Sequence, residues 1–83
     1  MKARSVEFEV RRLDEHGDAF DVDHYATAKE ALAVALRDWL SREQAAVVVE
    51  RHDWRIADPD RAYTEFALFG DTTAIERWRG GAR

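Results

Sequence analysis

The 83-residue chain contains no cysteine, one proline and four glycines. Without cysteine there is no disulfide scaffold, no thiolate zinc site and no thiol nucleophile. The glycines, at positions 17, 70, 80 and 81, form no phosphate-binding loop. Serine occurs only as Ser5 and Ser41, neither in a strand–turn–helix elbow. A chain this short has little room for the ~300 Å³ pocket typical of ligand sites. A protein that is not an enzyme, and that carries no cofactor, is expected. Long apolar runs are also lacking, and none approaches the ~20 residues of a membrane span. Met1-Lys2-Ala3-Arg4 leads into alternating charge rather than a signal-peptide core. The expectation is a soluble, cytoplasmic protein with no membrane partner. Bases are outnumbered: 17 acids face 13 bases, for a formal net charge of −4.

What is present is globular in composition, with 46% hydrophobic and 11% aromatic residues. The length suits one domain spanning residues 1–83, with a tail from Gly80 to Arg83 that frays. Its core is thin, which makes a homodimer a natural way to add stability.

Ser5 to Leu13 reads as a strand, with Val6, Phe8 and Val10 alternating against Glu7, Glu9 and Arg11. A turn follows at Asp14-Glu15-His16-Gly17-Asp18. Ala19 to Val22 is a return strand with Phe20 and Val22 facing the core. Thr27 and Glu30 have the spacing of a helix capping box. The predicted helix runs from Ala28 to Glu43, with a core stripe of Ala28, Leu32, Ala35, Leu36, Trp39 and Leu40. Val34 falls on its polar face, and Asp38 and Arg42 form an i, i+4 pair.

Ala45 to Ala57 is a third strand whose Val47-Val48-Val49 start suits burial on both faces. Glu50 and His52 fit poorly on the face they share with Val48, so a bulge is expected near residue 51. Asp58-Pro59-Asp60 is a turn, and Ala62 to Phe69 a fourth strand with Phe66 and Leu68 inward. Tyr63 and Phe69, with Val47 or Val49, would then lie on a partly exposed second sheet face. Residues 72–79 suit either a short helix carrying Ile75 and Trp78 on one side or a last strand. The expected fold is α+β: an antiparallel sheet of about four strands in β-β-α-β-β order, one main helix packed on one face.

Five features bear on chemistry. Asp21, Asp23 and His24 offer oxygen and imidazole donors suited to a divalent metal, but the spaced acids of a calcium loop are missing. His52 and Asp53 are adjacent in a strand, so their side chains point to opposite faces and do not share an ion. Ser5 and Ser41 lack the surroundings of a nucleophile. Arg77, Trp78, Arg79 and Arg83 form a basic and aromatic tail, to which Arg51, Arg55 and Arg61 add, of the kind that meets phosphate and stacks on bases. The −4 total argues against that role. Finally Asp14, Glu15, Asp18, Asp21 and Asp23 crowd one short hairpin, with Glu7 and Glu9 on the neighbouring strand. Such a cluster attracts a basic partner and repels nucleic acid. An acidic turn that only confers solubility has the same composition.

A hairpin with an acidic-Gly turn followed by "TAKEALAVAL" resembles the start of HicB-type antitoxins. Those carry a Gly-Cys-containing turn before the helix, where this chain reads "DVDHYAT", so no residue role is transferred. The functional expectation is a small acidic protein-binding module, an inhibitor or regulator of a nucleic-acid-handling machine by analogy of size and charge. Its contact residues are Asp14, Glu15, Asp18, Asp21, Asp23, Tyr63 and Phe69, with Val34 as a further apolar contact. The alternatives are a nucleic-acid-associated regulator using the Arg/Trp-rich C-terminus and a divalent-metal-binding protein.

Overall fold

The computed structural model describes residues 5–41 and 43–81. The expected Asp38–Arg42 pair, Arg83 and the last two residues of the tail lie outside them.

The first hairpin pairs β1 (Val6–Leu13) with β2 (Ala19–Tyr25). Its turn is closed by Asp14, whose carboxylate accepts from the amides of His16 and Asp18 at 2.9 and 3.0 Å. Gly17 takes φ +84°, and an added Cβ there would lie 2.7 Å from the Ala74 carbonyl oxygen. The turn is therefore pressed against the last helix, and only glycine fits.

The helix α1 (Ala28–Ser41) starts where the capping residues place it. The Thr27 hydroxyl accepts from the Glu30 amide at 3.2 Å and donates to the Glu30 carboxylate at 3.0 Å. The chain continues through β3 (Ala46–Asp53), a four-residue helix α2 (Pro59–Ala62), β4 (Tyr63–Gly70) and α3 (Thr72–Gly81). Asp58 caps α2 by accepting from the Asp60 amide, so the expected turn tightens into one helical turn. Asp71 accepts from the Thr73 amide, which starts α3 two residues earlier than a cap at Thr73 would. Residues 72–79 are thus helical.

The sheet is antiparallel throughout, in the order β2-β1-β3-β4. The α+β architecture expected from the sequence holds. On one sheet face α1 covers Val10, Val47 and Val49, with Phe8, Tyr25, Ala67 and Phe69 around them. On the other, α3 covers Leu13, Ala46 and Val48 with Ala74, Ile75 and Trp78. The three valines of β3 feed both cores, as their consecutive run implies.

Two irregularities reverse several expected orientations. On β2 the register slips at Phe20, because Arg12 pairs with Asp21 but Leu13 with Ala19. Phe20 is consequently 58% exposed rather than in the core. On β4 the slip comes between Val49 and Glu50, where Phe66 is the extra residue. β3 itself pairs with β1 without a break, so the bulge expected near residue 51 belongs to its neighbour. Phe66 and Leu68 are exposed, whereas Phe69, Val47 and Val49 lie beneath α1 and not on a second open face.

The helix stripe is also rotated. Ala31 and Ala35 are fully buried, Leu36 and Leu40 are exposed, and Val34 is half-buried. Arg12 explains the rotation. It sits on the helix-facing side of β1 and donates from Nε to Asp38 at 2.8 Å, turning that edge of α1 toward the sheet. Asp21 and Asp23 accept from the same guanidinium at 3.2 and 3.0 Å. Burial opposes the charge on Arg12, but the hydrogen bonds to Asp38 and Asp23 outweigh it and raise its pKa.

Candidate protein-binding surface

The acidic hairpin divides into working parts. Asp14 is spent on the turn. Asp21 and Asp23 lie on the helix side and share Arg12, so much of their charge is cancelled. Glu15 and Asp18 remain exposed at the tip. The Glu15 side chain is 81% exposed, while its backbone carbonyl accepts from Arg77 of α3 at 3.1 Å. The tip is therefore held at both ends: by the Asp14 carboxylate within the turn and by α3 behind it.

Beside the tip runs an open groove of about 500 Å³, lined by Asp14, Glu15, His16, Phe20, Glu43 and Gln44. Sequence reasoning missed its far wall. Glu43 and Gln44 follow α1, and only the folded chain brings them beside the first hairpin. Phe20, expected in the core, instead places an exposed aromatic ring in this acidic groove.

The sheet face not covered by α1 holds a second polar cluster. Glu9 and Glu50 are directly opposite in the β1–β3 ladder, and both are buried, at 2% and 0% exposure. Like charges at such a position repel. Arg11 sits between them, donating from Nε to Glu50 at 2.8 Å and from Nη2 to Glu9. The other Glu9 oxygen lies 3.1 Å from His52 Nδ1. His52 is stacked on Tyr63 at 4.1 Å between ring centres and leans on Trp54 at 4.0 Å. His24 Nδ1 lies 3.2 Å from Glu7. Every buried polar side-chain atom among the described residues has a partner. This face is closed upon itself: its groups hydrogen-bond one another. The poor fit of Glu50 and His52 to an apolar face was its only trace in the sequence.

The other sequence candidates find different roles. His24 projects from the face opposite Asp21 and Asp23, and among the described residues no three His, Asp or Glu side chains are placed to hold a metal ion. His52 and Asp53 do part to opposite faces: His52 meets Glu9, and Asp53 accepts from Arg55 Nε and Nη2 at 2.9 and 2.8 Å. Ser41 donates to the Asp38 carbonyl. In the C-terminal tail Trp78 is 6% exposed in the core beneath α3. Arg79 is bound to Glu65 at 2.6 and 2.9 Å and to Glu76, hydrogen bonds that hold its pKa above the usual value. Tyr63 is half-buried against His52, and Phe69 packs under α1.

The Arg55 hydrogen bonds, side-chain first and then backbone, hold the Asp53 carboxyl well below the usual carboxylate range. A depressed folded-state pKa gives stability that is complete above the unfolded value, near pH 4, and lost as pH falls below it. Thermal unfolding measured from about pH 5 down to about pH 2 should therefore show an acid limb. Asp53→Asn should make that limb shallower. An unchanged slope would show that Asp53 contributes nothing to it.

The fold and its surfaces define a small α+β domain with charged groups inside one sheet face and an acidic groove at one end. No helix among the described residues is long and apolar enough to cross a membrane. Compared with known proteins, the chain matches no family model, and no curated protein and no solved structure is significantly similar. The likeness to HicB-type antitoxins thus rests on one hairpin and the start of one helix.

Proposed function

We propose that the protein is a non-catalytic protein-binding module whose acidic groove receives a basic segment of its partner. The observation that carries this reading is the groove itself: Glu15, Glu43 and the exposed ring of Phe20 line it, beside a turn fixed by Asp14 and Arg77. Carboxylates steer a basic partner, and an exposed aromatic supplies apolar contact beside them. Pre-organisation of the turn lowers the entropy lost on binding. The exposed carboxylate of Asp18, at the same tip, adds to the negative potential beside the groove. A partner that itself binds nucleic acid through a basic surface suits this chemistry, and blocking that surface would make the protein an inhibitor or regulator.

Glu15→Lys combined with Asp18→Lys tests the reading, because neither side chain supports the turn. Proteins captured from the native host by the wild type should be lost, with affinity at least about tenfold weaker and more salt-sensitive binding in the wild type. The melting temperature should not change. Equal capture by both forms, or salt-sensitive retention of DNA or RNA in a gel shift, would end this assignment.

A further inference from the structure

The sheet has two outer strands, and they differ sharply. β2 carries Asp21 and Asp23, which share the single charge of Arg12 with Asp38, so net negative charge remains along that edge and two β2 edges brought together repel. β4 carries a single charge, Glu65, and Arg79 neutralises it. Among the described residues no strand lies beyond β4. Exposed edges of this length are ordinarily guarded by charge, proline, a bulge or a cover. β4 has a bulge at Phe66, which leaves residues 67–70 unguarded, and these pair regularly with β3.

Apolar surface gathers along the same edge. Of the six exposed large hydrophobics among the described residues, Phe66 and Leu68 belong to β4 and Leu36 and Leu40 to α1; Leu68, opposite Val48, flanks the edge on the α3 face of the sheet. The placement of Leu36 and Leu40 follows from helix geometry. Asp38 points toward β1 and β2 through Arg12. Trp39, one residue on, lies against Gly70 of β4. Leu36 falls a further ~60° around the helix in that direction, on the flank toward β4, and Leu40 ~100° further, where that flank meets the outer surface of the helix. The Phe66 ring is on this side too, edge-on to Phe8 at 5.3 Å.

We propose that a second copy of the chain docks here, β4 against β4 in antiparallel fashion, closing a two-fold dimer with one continuous eight-stranded sheet. An isologous contact needs a self-complementary patch, and an uncharged edge flanked by leucines is one. Leu36 and Leu40 of each protomer meet their counterparts across the axis. A specific interface needs on the order of 500 Å² or more from each protomer, so the strand edge must be joined by Leu36, Leu40 and Phe66 to reach it. The acidic hairpin lies at the opposite edge of the sheet, so the charge of −4 on each chain is carried away from the join. The proposal is independent of what the acidic groove binds.

Light scattering coupled to size exclusion at about 100 μM, a concentration that reports micromolar dimers, tests it. The wild type should show twice the 9.6 kDa of one chain. Leu36→Glu with Leu40→Glu should give the single-chain mass with an unchanged circular dichroism spectrum, since both side chains are exposed. Amide exchange in β4 should slow as wild-type concentration rises. A wild type of single-chain mass, a dimer that survives the double substitution, or a ladder of larger species from β2–β4 pairing would each overturn the proposal.

Discussion

Arg11→Met should destabilise the protein by about 3–5 kcal/mol, read as the shift in a urea or thermal unfolding curve. The substitution keeps most of the aliphatic stem and removes only the guanidinium. Glu9 and Glu50 would then face one another across the β1–β3 ladder, both buried, without their shared cation. A domain of this size has a total stability of roughly 4–12 kcal/mol, so the loss is a large share of it. Adding Glu50→Gln should recover part of the loss, because one of the two stranded charges is gone. A single substitution costing under about 1 kcal/mol, or a double variant no better than Arg11→Met, would show that the cluster holds its charges without Arg11.

Trp78→Ala should cost about 3–5 kcal/mol, the range for emptying a buried aromatic site. The ring fills the space between α3 and Leu13, Ala46 and Val48, and α3 in turn backs the Gly17 turn. The substitution therefore bears on two readings at once. A core role predicts a large fall in melting temperature with nucleic-acid retention unaltered. A stacking role predicts weaker retention with stability intact.

The architecture was legible in the sequence because its signals are local. Alternation in β1, the Thr27–Glu30 cap and the Val47-Val48-Val49 run each depend on a few neighbouring residues, and each element formed where they placed it. The faces of β2 and β4 were not legible. A single extra residue, Phe20 or Phe66, inverts the inward side of the rest of its strand, and nothing local marks either one. The rotation of α1 depends on Arg12 reaching Asp38 from a different element. The groove was half legible: Asp14, Glu15 and Asp18 announce themselves as a cluster, but Glu43 joins them only through the return of the chain after α1. Tyr63 was expected on the open face and lies there, held by His52; Phe69 was expected beside it and is under the helix.

The pairing of β1 with β3 has a consequence for how the chain reaches this structure. Leu13 meets Ala46 and Val6 meets Asp53, so the central ladder closes only after the hairpin and the whole of α1 have been laid down. Closing a loop of that size costs entropy before any of its contacts form. During synthesis β1 and β2 emerge first, and the inner edge of β1 must wait for β3. In that interval the residues later hidden in the charged cluster, Glu7, Glu9 and Arg11, stand along the waiting strand and keep it hydrated. Glu9, whose buried charge burdens the finished interior, thereby belongs to the set that guards the unfinished one.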